Sequence, residues 1–137
     1  MKTAGIRDDD IVMVDRRGRQ FEAIVSGREP DGRRLSIRPL RPDVSYMSAG
    51  AREIIAHWRA RPHASSGRVS MRPIRAGDVV KFRAGDCTAF GTVSSKDRTT
   101  LNVTPLKRDG VLVPVPVTES DIIRHYARHG RVRGRAA

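Results

Sequence analysis

The chain states one pattern twice. Residues 10–61, moved along by 68 positions, fall on 78–129. Asp10-Ile11-Val12-Met13-Val14 lands on Asp78-Val79-Val80-Lys81-Phe82, and Val25-Ser26 lands on Val93-Ser94. Leu35-Ser36-Ile37-Arg38-Pro39-Leu40 then matches Leu101-Asn102-Val103-Thr104-Pro105-Leu106 with the offset shortened to 66. The offset of 68 returns where Glu53-Ile54-Ile55-Ala56-His57-Trp58 meets Asp121-Ile122-Ile123-Arg124-His125-Tyr126. Two length changes that cancel mean that loops vary while the core elements keep register. Internal duplication at a fixed period therefore sets the architecture before any motif is read.

Each copy is about 55 residues, near the lower size at which a domain folds unaided, so each is expected to lean on the other or on a partner. The second copy reads most clearly. Strands are expected near 78–83, 88–95, 100–105 and 111–117, separated by polar and glycine-containing turns. Gly91 inside the second of these predicts a bulge or bend. Pro114 and Pro116 lie two apart and cannot donate to a ladder, which predicts an edge or closing strand. Thr118-Glu119-Ser120-Asp121 has the form of a capping box, and Ile122, Ile123, Tyr126 and Ala127 form an apolar stripe at helical spacing. A helix is therefore predicted over 119–129. The first copy predicts strands near 10–15, 20–26, 35–39 and 44–47 and a helix over 51–60, with Ile54, Ile55 and Trp58 as its buried stripe.

The segment Gly77-Asp78-Val79-Val80-Lys81-Phe82, followed by Gly85, Gly91-Thr92-Val93 and Leu101-Asn102-Val103, resembles the KOW motif of SH3-like barrels, which are themselves similar to Tudor-type folds. The first copy departs from it, with Ala23 in place of Gly91. The resemblance covers about 30 residues of each copy and implies binding to RNA, to DNA or to the machines that handle them. The expected fold is thus mainly β: two tandem SH3-like small barrels, each followed by a short C-terminal helix. The divisions are a first module at 8–62, a basic Pro/Gly/Ser linker at 63–75, a second module at 76–130 and a basic tail at 131–137.

Net charge is +12, from 27 Lys and Arg against 15 Asp and Glu, which makes a polyanion the leading class of partner. Two runs lack any acid. One holds Arg59, Arg61, Arg68, Arg72 and Arg75, the other Arg124, Arg128, Arg131, Arg133 and Arg135. Arg33, Arg34, Lys96 and Arg98 occupy equivalent hairpin tips, where an ordinary solvated loop is the competing reading. Aromatics make up 4% of the chain, and only Tyr46 reads as an exposed platform. Phosphate-directed contact with duplex DNA or structured RNA is therefore favoured over base stacking. The alternative is a protein-binding adaptor docked on RNA polymerase, the ribosome or another nucleoprotein assembly, a viral particle included.

Enzymatic, metal and cofactor chemistry are not expected. Cys87 has no repeat mate and no patterned His/Asp neighbours, and His125 with His129 lacks further ligands. No small-molecule substrate is implied. The single cysteine excludes an internal disulfide, no apolar run reaches membrane-span length, and residues 1–10 lack the apolar region of a signal peptide. A cytoplasmic, nucleoid- or nucleoprotein-associated location is the expectation.

Overall fold

The computed structural model describes residues 5–30, 32–41, 43–62, 68–106 and 114–129. The first copy supplies β1 (Ile11–Arg16), β2 (Arg19–Arg28), β3 (Arg34–Pro39), β4 (Ser48–Gly50), one 3-10 turn (Ala51–Glu53) and β5 (Ile54–Ala60). The second repeats the series as β6 (Val79–Ala84), β7 (Cys87–Lys96), β8 (Thr100–Pro105), β9 (Val115–Thr118), a 3-10 turn (Glu119–Asp121) and β10 (Ile122–His129). All ten strands join one antiparallel sheet in the order β4-β3-β2-β1-β5-β10-β6-β7-β8-β9. Exchanging the two copies reverses that order and leaves it unchanged.

The mainly-β class stands, but the two barrels closed by C-terminal helices do not. The segments expected as helices at 51–60 and 119–129 each make a single 3-10 turn and then become β5 and β10, the two central strands of the sheet. The helix-start signals are real and act over one turn only. Glu53 Oε1 accepts the Gly50 N–H at 3.0 Å, and Thr118 Oγ1 donates to Asp121 Oδ2 at 3.4 Å. Beyond that turn, β-branched and aromatic residues favour an extended chain, and β1, β6 and the opposite copy supply ladder partners. The first copy's fourth strand falls at Ser48–Gly50, not at 44–47. β9 covers the C-terminal part of the strand expected at 111–117, and 111–113 lie outside the described residues. It is an edge strand, and Pro116 faces Asn102 of β8, its one neighbour.

Each copy has its own core. Ile6, Val12, Val25, Leu35, Ile37 and Ile54 pack in the first, and their mates Ile74, Val80, Val93, Leu101, Val103 and Ile122 pack in the second. Ile74 and Met71 lie in the stretch read as linker and are buried in the second core. One exchange shows how close packing was preserved. In the first copy Val14 stands opposite Phe21, and in the second Phe82 stands opposite Ala89. The ring has moved to the neighbouring strand, and one large and one small side chain still fill the position.

A third cluster joins the halves: Ile11, Ala56, Trp58, Val79 and Tyr126. It surrounds the β5–β10 pairing, in which Ala60 faces Tyr126, Arg59 faces Ala127 and Trp58 faces Arg128. This register is its own image under the 68-residue shift. A local two-fold axis therefore passes between Arg59 and Ala127, and the halves meet as two identical subunits would.

Candidate nucleic-acid interface

The most buried polar groups form a repeated pair. His57 Nε2 lies 2.6 Å from Asp10 Oδ2, and His125 Nε2 lies 2.6 Å from Asp78 Oδ2. In both pairs the side chains are at most 7% exposed. The remaining carboxylate capacity is met by the backbone. Asp10 accepts the Arg7 and Ala60 N–H groups, and Asp78 accepts those of Arg75 and Arg128. Burial by itself pushes both carboxyls up. The histidine hydrogen bond, the two N–H donors and the histidine charge together outweigh it, so Asp10 and Asp78 titrate below the usual aspartate value. An ionised carboxylate can only accept, so each imidazole carries its proton on Nε2. The pairs tie the start of each copy to its last strand.

The sequence reading placed Asp10 and Asp78 at the starts of strands and His57 and His125 in helices. The available signal was the offset, since both members of each pair recur at 68. His125 and His129 also part company. Four residues along a strand is about 13 Å, too far to chelate one ion. His129 packs its ring edge-on at 5.0 Å from His57, and its titration is pushed down by burial, then by Arg59 and His57. Among the described residues no group of three or more His, Cys, Asp or Glu could hold a metal, and no helix is long and apolar enough to cross a membrane. Cys87 is exposed.

The cations singled out from sequence divide by their surroundings. Arg34 forms an ion pair with Glu53 at 3.2 Å and bonds Ser48 Oγ, so it serves the turn before β5. Arg59 donates to the Gly5 carbonyl at 2.9 Å, and its Nε is buried without a hydrogen-bond partner among the described residues. Lys96 Nζ caps the carbonyls of Met71 and Arg72, each at 3.2 Å. Arg128 lies over the Trp58 ring at 5.3 Å. Arg33, Arg72, Arg75 and Arg98 are exposed, while Arg131, Arg133 and Arg135 fall outside the described residues. Tyr46 is 39% exposed and stacked on Phe21, with the Arg16 guanidinium 4.5 Å from its centroid.

Arg61, Arg68 and Arg124 do come together. They line a cleft of about 280 Å³ with Pro62, Pro73 and His125. Arg124 also lines a groove of about 270 Å³ with Arg38 and Lys81, so the two hollows adjoin. Arg38 and Lys81 were not singled out from sequence. They lie on strands of different copies, and only the sheet order brings them near Arg124.

Comparison with protein-family models, with curated proteins and with solved structures finds no match to this chain.

Proposed function

We propose that this protein binds nucleic acid through backbone phosphates, with little sequence preference and without catalysing a reaction. The observation that supports the reading best is the position of Arg124 between the two hollows. It makes Arg61, Arg68, Arg124, Lys81 and Arg38 one cationic strip, with Asp9 as a carboxylate beside it.

 Among the described residues, Arg38, Arg61, Lys81 and Arg124 take part in none of the salt bridges, which join other residues. Guanidinium and ammonium groups left without carboxylates are available to phosphate oxygens. A cytoplasmic, nucleoprotein-associated location follows from this reading.

The test is binding of a short duplex, and of a structured RNA, across a salt series. If four or five phosphates are neutralised, the slope of log affinity against log salt should be about −4 to −5. The double substitution Arg61→Ala, Arg68→Ala should reduce that slope by about two. A folded sample that binds neither ligand at low salt would overturn the reading. The adaptor reading has one observation in its favour: Met47 is 70% exposed beside the short edge strand β4. Capture of an assembly that survives nuclease treatment and is lost in Met47→Asp would favour it.

A further inference from the structure

We propose that the groove between the two copies is a phosphate site in which three cations converge on one phosphate group, and that divergence of the duplicated halves created it. The proposal rests on the nucleic-acid reading and narrows it to a single built pocket.

The groove draws on both copies. Arg38 comes from β3 of the first, Lys81 from β6 and Arg124 from β10 of the second. Two aromatic rings back the cations without neutralising them. The Lys81 ammonium lies 5.6 Å from the Phe90 centroid, and the Arg124 guanidinium lies 5.8 Å from that of Tyr126. Arg124 Nε also donates to the Arg61 carbonyl at 3.4 Å, which fixes the side chain further. Asp9 is the one carboxylate among the described residues lining the groove, so three positive charges there meet one negative. A tetrahedral phosphate offers several oxygens to such a set, whereas a carboxylate offers two.

The repeat supplies an internal control. Shifting to the equivalent positions of the other copy replaces Lys81 with Met13, Arg124 with Ala56 and Arg38 with Thr104. Phe90 becomes Glu22, which is buried and ion-paired with Arg41 at 3.0 Å. Tyr126 becomes Trp58, whose indole N–H donates to the Gly77 carbonyl at 2.7 Å beneath the Arg128 guanidinium. All three cations are thus absent from the twin position. Arginine-rich composition alone would not place them on one side of a two-fold arrangement.

The phosphate could belong to the backbone of a strand or to its 5′ end, and the experiment separates these. Backbone amide spectra of the full chain are recorded with inorganic phosphate, then with an oligonucleotide bearing a 5′-phosphate or a 5′-hydroxyl. Phosphate should shift amides of β3, β6 and β10 around the groove, and Arg38→Ala or Lys81→Ala should weaken that binding about tenfold. Tighter binding of the 5′-phosphorylated strand assigns the groove to the terminus, and equal binding assigns it to the backbone. For the oligonucleotide, the Arg38→Ala, Lys81→Ala double variant should lower the salt slope by about one, because both side chains grip the same phosphate. A fall of about two, or phosphate shifts spread over all the exposed arginines, would overturn the shared site. Phosphate shifts confined to the groove, with no oligonucleotide binding at low salt, would remove the nucleic-acid reading and leave the groove standing.

Discussion

Asp10 and Asp78 carry consequences out of proportion to their number. In the unfolded chain an aspartate titrates near about 3.9. Both titrate lower in the fold, where burial raises them but the histidine bond, backbone donors and histidine charge prevail. The folded state therefore binds fewer protons than the unfolded state in this range. Their contribution to stability is present above about pH 4 and is lost as pH falls through the depressed folded values. Melting temperature should drop steeply below about pH 4, and the Asp10→Asn, Asp78→Asn double variant should show a shallower acid limb. Each single substitution should also cost about 3–5 kcal/mol at neutral pH, since it leaves a buried imidazole facing an amide. Identical acid limbs for parent and double variant would dismiss the pairs as the source. Gly91 makes a second demand at this scale. A Cβ there would lie 2.3 Å from Val103 Cγ1 and 2.9 Å from the Thr104 carbonyl oxygen, so Gly91→Ala should cost about 1–3 kcal/mol in urea unfolding. The expected bulge is elsewhere, between Val93 and Ser95, and Gly91 serves close approach between strands. Its mate Ala23 is fully buried, so the two copies differ in how much room they leave there.

The strands that bind the halves together were the least legible elements. Ile54-Ile55-Ala56-His57-Trp58 contains apolar residues at helical spacing, and it also reads as a continuous apolar run in a central strand. Periodicity alone does not separate the two over so few residues. β-branched and aromatic content favours a strand, whereas the capping box Thr118-Glu119-Ser120-Asp121 before the equivalent segment of the second copy points the other way. By contrast, β1–β3 and β6–β8 stood out because turns bound them and their mates recur along the chain. The edge position of β9 was legible from Pro114 and Pro116, whose missing donors leave little choice. The groove cations Arg38 and Lys81 were not, because their proximity to Arg124 depends on β5 meeting β10. The strand assignment changes which isoleucine matters. Ile54 is buried at 2% exposure and Ile55 is 47% exposed. Ile54→Ala should cost about 2–5 kcal/mol, whereas Ile55→Ala should stay within about 1 kcal/mol. Equal losses for the two in urea titrations would restore the helical stripe, on which both side chains are buried.

At the scale of the molecule, the shared sheet makes each half the other's missing neighbour. Without β10, β5 would be an edge strand with open backbone donors and acceptors, and β10 would be in the same position without β5. Separation would also divide the cluster of Ile11, Ala56, Trp58, Val79 and Tyr126, and would remove the Trp58 indole from the Gly77 carbonyl. Copies of this size have little stability to spare for such exposure. Polypeptides 1–67 and 68–137, produced separately, should therefore associate one to one when mixed. Trp58, the chain's one tryptophan, reports directly on this event. Its emission should move to shorter wavelength as the indole leaves water for the joint cluster. Because the β5–β10 register is its own image under the repeat, the first half alone should also form a weaker pair with itself. There Asp9 would stand where Gly77 does, and Trp58 would meet a second Trp58 in place of Tyr126. Adding the second half should displace that self-pair, which sedimentation and the tryptophan signal can follow together. Two halves that remain folded monomers on mixing, with Trp58 emission unchanged, would show that the central pairing does not hold the molecule together.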